Sequence, residues 1–162
     1  MHFLRFVAGP IAASLLMLAP ATMSVFAQAA PAPATAEDQA YQTAYTAALS
    51  DAPALLAEKA NMDVRLASVD STTDFPALVA DIGALGVRWQ ATTDKLTLLQ
   101  PTDRYTSGHL NTAIATQTFA VSYAALATAV TANDSTGIAA AVGALTSANS
   151  MITAAFAELQ SA

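Results

Sequence analysis

Residues 74–101, DFPALVADIGALGVRWQATTDKLTLLQP, carry the clearest structural signal in the sequence. Apolar and small side chains recur in this stretch at alternating steps of three and four residues, which is the spacing of one face of an α-helix. Asp74 can cap such a helix, proline is tolerated in its first turn, and Pro101 ends it. A seam of this length predicts a helix that packs in a bundle. Its contact positions are Phe75, Leu78, Ile82, Leu85, Trp89, Thr92, Leu96 and Leu99.

The two segments that follow show the same period, and each predicts one further helix. A turn at Asn133-Asp134 separates them, and Thr102 can cap the first of them. The first has its contact positions at Tyr105, His109, Thr112, Thr116, Phe119, Tyr123, Leu126 and Val130. The second has them at Ile138, Val142, Leu145, Asn149, Ile152, Phe156 and Leu159.

The segment before residue 74 contains a proline within a helical pattern. A preserved phase through Pro53 favours one long helix that is kinked there, because a true break usually resets the register. The alternative is a short helix that ends at Leu49, followed by a second helix that Asp51 caps. The contact positions on which both alternatives rest are Tyr41, Tyr45, Ala48, Ala52, Leu55, Lys59, Met62, Leu66 and Val69.

Either alternative leaves four main helices joined by short loops, so helices that follow each other in sequence should be antiparallel neighbours. No strand-like alternation of any length occurs in the sequence. The expected fold is therefore all-α. It is an antiparallel up-down four-helix bundle over residues 37–162, with its first helix kinked or split near Pro53.

The first 29 residues have the three parts of a secretory signal peptide. Arg5 supplies a positive charge, residues 7–18 form an uncharged run, and residues 27–29 read Ala-Gln-Ala. Small residues at the first and third of these last positions fit signal peptidase. We expect cleavage before Ala30 and a periplasmic or extracellular product.

The alternative for this segment is an uncleaved membrane anchor. A spanning helix needs about 20 consecutive apolar residues, whereas Gly9-Pro10 and Pro20 interrupt the run. Residues 30–36 are rich in proline and alanine, which is typical of an extended, flexible leader. The bundle domain is expected to follow this leader.

Composition limits the partners of the exported product. The sequence has no cysteine, so the fold must be held together by its core alone. The formal net charge is −6, and it becomes −7 when Arg5 is removed with the signal peptide. This balance argues against nucleic acid and anionic lipid surfaces as partners. Residues 105–133 are uncharged but contain many polar side chains, so no integral membrane span is expected after cleavage.

His109 is the only histidine outside the first 29 residues. Helical di-iron sites need two Glu-x-x-His pairs, and zinc sites of His and Cys need more ligands than this chain has. Ser107, His109 and Asp103 lie on one helical turn or its approach, where a nucleophile, a base and an orienting group cannot form a relay. We therefore expect a protein that is not an enzyme and that has no cofactor and no metal site.

His109 nevertheless lies on the predicted core seam. In an up-down bundle the start of the third helix lies at the same end as the start of the first, which places His109 near Tyr41, Tyr45 and Tyr105. Several tyrosines and one imidazole at one end of a bundle form a candidate small-ligand pocket. The favoured alternative is structural, with His109 hydrogen-bonded to a carbonyl or a tyrosine hydroxyl.

A haem carrier is the more specific form of the ligand hypothesis, because bundles similar to cytochrome b562 hold haem through a histidine and a methionine. Met151 lies one residue off the seam and Met62 lies toward the far end of the first helix, so neither pairs well with His109. The sequence therefore favours a non-enzymatic binding or structural interaction module whose partner is a protein or a small molecule. The alternative is a small-ligand or haem carrier that uses the His109 end.

Overall fold

The computed structural model describes residues 33–70 and 73–161, and no strand occurs in this part of the chain. The signal-peptide prediction lies outside the described residues, as does most of the predicted leader. The elements are α1 (Ala36–Ala48), α2 (Ala52–Ala67), α3 (Phe75–Thr97), a 3-10 turn (Asp103–Tyr105), α4 (Thr106–Ala132) and α5 (Ser135–Ser161). Because α1 and α2 are the two halves of one bent helix, the expected all-α four-helix bundle is confirmed.

The bend in the first helix follows from Pro53. A proline ring clashes with the carbonyl of the residue four positions earlier and has no N–H to donate, and that earlier residue is Leu49. The regular helix ends at this point, and the Ala52 N–H donates to the Leu49 carbonyl at 2.9 Å. Asp51 does not cap α2 with its side chain; its carboxylate pairs with Lys95 at 3.1 Å.

The bend leaves the apolar face of the first helix unchanged. Ala48 in α1 and Ala52 and Leu55 in α2 are all buried in the same core. Lys59, which lies in the predicted seam, places its ammonium 2.6 Å from the Asp63 carboxylate. The preserved phase in the sequence therefore correctly indicated one continuous core-facing side through Pro53.

Helix ends follow the sequence signals at Asp74 and Asn133, but Thr102, like Asp51, does not cap a helix with its side chain. The Asp74 carboxylate caps α3 by accepting from the Ala77 N–H at 3.1 Å, as predicted. Asn133 ends α4 in the left-handed conformation with φ 53°, which asparagine tolerates better than most residues. Thr102 does not cap the following helix, because its hydroxyl donates instead to Asp38 at 2.6 Å.

Close packing of α4 against α5 depends on small side chains. Ala141, Ala148 and Ala155, spaced by seven residues, are buried along α5, and Gly108 of α4 lies against Leu159. The predicted seam is confirmed at Leu145 and Ile152, which are buried beside these alanines, but it did not include the alanines, and its Asn149 is exposed. Alanine at these positions lets the two helix backbones approach closely.

Two helices of the described chain are long and apolar enough to cross a membrane by length and composition. They are Asp103–Ala132, which includes the 3-10 turn and α4, and Ser135–Ser161, which is α5. Core helices of water-soluble bundles pass the same test, so this property is weak evidence for a membrane location.

Candidate functional site

The structure brings together the four predicted site residues, His109, Tyr41, Tyr45 and Tyr105. The Tyr41 hydroxyl and His109 Nδ1 are hydrogen-bonded at 2.9 Å. The Tyr41 ring stacks on Tyr105 with 5.3 Å between ring centroids, and His109 lies 5.9 Å from Tyr41 and 6.4 Å from Tyr45. These residues form what we call the His109 cluster, which joins α1 to the start of α4.

The other polar heads of the His109 cluster also have partners. The Tyr45 hydroxyl is hydrogen-bonded to the Thr112 hydroxyl at 2.6 Å. The Tyr105 hydroxyl accepts from the side-chain amide of Gln42. The three tyrosine hydroxyls are therefore all paired within the protein, which favours the structural interpretation of the cluster.

Burial decides the protonation states in the His109 cluster. Loss of solvent lowers the pKa of His109, so the imidazole is neutral at pH 7. Burial raises the pKa of Tyr45 to about 12, against the opposing effect of the Thr112 hydrogen bond. Burial also raises the pKa of Tyr41 far above that of a free tyrosine.

Asp38 forms a second polar junction beside the cluster, and sequence reasoning missed it. Its carboxylate accepts from the Thr35 N–H at 2.9 Å and from the Thr102 hydroxyl at 2.6 Å, and it lies 3.7 Å from Arg104. The hydrogen bond from Thr102, followed by that from the Thr35 backbone, lowers the pKa of this carboxyl. Thr35 and Asp38 form a capping box at the start of α1, and Thr-x-x-Asp before a helix was the available signal.

A groove of about 810 Å³ lies between the start of α1 and the chain that leads from α3 to the 3-10 turn. Tyr41 and Asp38 line it from α1, and Pro101 and Arg104 line it from the other side. Tyr41 is the one member of the His109 cluster among the described residues that line it. Tyr41 therefore both lines the groove and contacts the His109 imidazole.

In the described part of the chain, no hydrogen bond joins Ser107 or Asp103 to the His109 imidazole. The Ser107 hydroxyl donates to Glu158 at 3.2 Å rather than to the imidazole, and Asp103 is exposed. Within residues 33–70 and 73–161 no group of three or more His, Cys, Asp and Glu side chains is placed to hold a metal ion.

The methionine considered for haem is displaced along the bundle. Glu158 contacts Asn111 at 3.0 Å, so that part of α5 is level with the start of α4. Met151 precedes Glu158 by seven residues, which is about 10 Å along a helix. His109 and Met151 therefore do not form a pair of facing axial ligands.

A row of exposed apolar side chains runs along the outside of α4. Leu110, Ile114 and Val121 are 56%, 44% and 58% exposed. Their spacing of four and seven residues places them on one face of the helix. We call these three residues the outer row. It lies opposite the core-facing side of α4, which includes the fully buried Phe119 and Tyr123.

Comparison of the chain with models of known protein families, with curated proteins and with solved structures found no match.

Proposed function

We propose that this chain is an exported, non-enzymatic helical bundle that acts by binding a protein partner or as a structural interaction module. The observation that carries the proposal is the mutual pairing of polar side chains at the His109 end. The hydroxyls of Tyr41 and Tyr45 and the carboxylate of Asp38 are all hydrogen-bonded within the chain. Pairing of this kind satisfies buried polar groups and holds α1 against α4 and the loop before it, which supports a structural role for this end of the bundle.

Export is part of the proposal because residues 1–29 carry the features of a signal peptide. An exported protein without cysteine needs a core that is sufficient by itself. The stacked Trp89 and Phe119 rings, 4.4 Å apart, lie at the centre of such a core. The outer row of α4 supports an interaction role, since exposed apolar side chains aligned on one helix face are typical of contact surfaces.

A small-ligand carrier is the second candidate, and the groove beside Tyr41 is the observation that favours it. Its volume of about 810 Å³ lies within the range of roughly 300–1,000 Å³ found for small-molecule sites. A carrier of this kind would hold its ligand between α1 and Pro101. The weaker, haem-binding form of this candidate would need a second axial ligand other than Met151.

In-cell crosslinking and native mass spectrometry test the two candidates together. A photoreactive amino acid at Ile114 should give reproducible adducts with protein in the native host. The same amino acid at Val64, which is 68% exposed on α2, is the matched control and should give none. In native mass spectrometry, protein purified from that host should have either the mass of the polypeptide alone or the mass of its complex with a protein partner.

The contrary result is a small molecule that accompanies the chain. A fixed additional mass in the native spectrum, or a visible absorption band, would contradict the interaction role if His109→Ala or Tyr41→Ala removed it. Such a molecule should also stabilise the protein by about 2.7 kcal/mol at 100 times its dissociation constant. That outcome would favour the small-ligand carrier over the interaction module.

A further inference from the structure

We infer that Tyr41 is a site of one-electron oxidation by neutral organic radicals, with the His109 imidazole placed to accept the phenol proton at Nδ1 as the electron leaves. This inference goes beyond the proposed function, because the reaction needs only a small oxidant and no protein partner. Three features of the described chain carry it: the base that meets the Tyr41 hydroxyl, the partners of the other tyrosines, and the groove beside the Tyr41 ring.

The Tyr41 hydroxyl meets a base. A phenol becomes a much stronger acid when it loses an electron, so a base that takes its proton in the same step lowers the energy required. His109 Nδ1 lies 2.9 Å from the Tyr41 oxygen. A proton on Nε2 leaves Nδ1 as the acceptor of the Tyr41 hydroxyl, whereas a proton on Nδ1 would leave that hydroxyl without an acceptor in the described chain. Because burial lowers the pKa of His109, the imidazole is neutral at pH 7 and can accept.

The two other tyrosines of the His109 cluster have partners that are poor proton acceptors. The Tyr45 hydroxyl is paired with the Thr112 hydroxyl at 2.6 Å, and the Tyr105 hydroxyl accepts from the side-chain amide of Gln42. An alcohol and a carboxamide are both far weaker bases than an imidazole. Oxidation of Tyr45 or Tyr105 therefore requires a higher potential than oxidation of Tyr41.

The fourth tyrosine and the tryptophan are also unfavourable electron donors. Tyr123 Oη and Trp89 Nε1 have no hydrogen-bond partner in the described chain, and both side chains are fully buried. Neither group has a base beside it to take its proton when its ring is oxidised. Of the four tyrosines in the sequence, Tyr41 is thus the one whose hydroxyl is paired with a base.

The groove beside α1 determines which oxidants can reach Tyr41. The Tyr41 side chain is 6% exposed, and it lines the groove together with the apolar Ala40, Ala44, Leu99 and Pro101. The formal charge of −6 on the chain repels anionic oxidants, and the apolar part of the lining suits an uncharged organic molecule. An organic peroxyl radical is an oxidant of this class.

The reaction moves one electron out of the protein and one proton within it. The peroxyl radical takes an electron from the Tyr41 ring and, with a proton from water, becomes a hydroperoxide. The Tyr41 O–H bond breaks and an N–H bond forms at His109 Nδ1, which leaves a neutral tyrosyl radical beside an imidazolium. A one-electron reductant such as ascorbate returns the electron, and the proton moves back from Nδ1 to the phenol oxygen.

Flash photolysis with a ruthenium(III) polypyridyl complex tests the role of His109, because this oxidant takes an electron and no proton. In the wild type the tyrosyl radical should form more slowly in D₂O than in H₂O, since the hydroxyl proton moves in the same step. Tyr41→Phe should remove the main phase of radical formation, while Tyr45→Phe, the matched control, should keep it. His109→Gln should slow that phase about tenfold or more. Circular dichroism checks that each variant is folded.

Spin trapping in the wild type tests the inference without any variant. The protein is exposed to peroxyl radicals from an azo initiator in the presence of a nitroso spin trap, and tandem mass spectrometry locates the adduct. The adduct should lie on Tyr41 in preference to Tyr45, Tyr105 and Tyr123. Protein unfolded in guanidinium chloride is the control, and its adducts should be spread over all four tyrosines.

Three results would overturn the inference: an adduct mainly on another tyrosine of the folded protein, radical formation that is unchanged in Tyr41→Phe, or a folded His109→Gln with the rate and isotope effect of the wild type. None of these results bears on the proposed interaction role, because crosslinking in the native host tests that role separately.

Discussion

The His109 imidazole lies beside the rings of Tyr41 and Tyr45 and is hydrogen-bonded to the Tyr41 hydroxyl. We expect His109→Ala to lower the free energy of unfolding by about 1–3 kcal/mol, because it leaves a cavity and an unpaired hydroxyl. Tyr41→Phe, which removes only the hydroxyl, should lower it by about 1 kcal/mol. Urea denaturation of the ligand-free proteins measures both. An unchanged or raised midpoint for His109→Ala would contradict a structural role and favour a binding site.

The lowered pKa of His109 also predicts how the free energy of unfolding depends on pH. Because burial lowers the pKa of His109, the unfolded chain binds more protons than the folded one between that lowered value and about 6.5. The free energy of unfolding should therefore rise with pH through this window and fall on acidification below about pH 6.5. Denaturation midpoints at pH 5.5 and 7.5 measure the effect.

His109→Gln is the control for this pH dependence, because it keeps a polar side chain and removes the titrating group. Its midpoint should change less than that of the wild type between pH 5.5 and 7.5. An equal change of the denaturation midpoint with pH in wild type and His109→Gln would contradict the assignment to His109.

Asp38 affects stability at lower pH than His109 does. The lowered pKa of its carboxyl gives stability that is present above about pH 3.9 and is lost on further acidification.

At the scale of elements, two glycines differ in the space around them: Gly108 lies in a close contact between helices and Gly143 lies on the open surface. A Cβ atom on Gly108 would lie 2.6 Å from Leu159 Cγ, whereas one on Gly143 would meet no atom within 4 Å. We expect Gly108→Ala to destabilise the protein by about 1–3 kcal/mol, because the new methyl group would displace the Leu159 side chain. Gly143→Ala should stabilise it by about 0.5–1 kcal/mol, because alanine favours the helix. Thermal unfolding of both variants checks this, and a stabilised Gly108→Ala would contradict the close approach.

The individual helices differ in how much of them the sequence predicts. In α3, polar residues flank the seam on both sides, so the period identifies the buried Leu78, Ile82 and Trp89. α5 is apolar or small nearly all round, so its period does not rank Ala148 above Asn149 as a core residue. Contact with α4 decides that choice, and a single helix pattern contains no information about its neighbour.

Across the whole molecule, the fold and the meeting of His109 with the tyrosines could both be predicted. Short loops make the helices antiparallel, and this alone brings the starts of the first and third helices to the same end. The Asp38 junction could not be predicted in the same way. Its contact with Thr102 joins residues 64 positions apart, and it depends on side-chain geometry within the loop that helical periodicity does not describe.

The position at which α1 begins limits where the signal peptide can be cleaved. We expect Ala30 to be the mature N-terminus, because Ala27 and Ala29 fit the small subsites of signal peptidase. A cut there leaves Thr35, whose hydroxyl accepts from the Asp38 N–H at 3.1 Å to cap α1, with five residues before it. A cut beyond Thr35 would remove the cap and the backbone N–H that Asp38 binds. Intact mass of the secreted protein decides among these positions. A chain that retained residues 3–18 would contradict cleavage, and a product that began after Thr35 would contradict the role of the capping box in the exported fold.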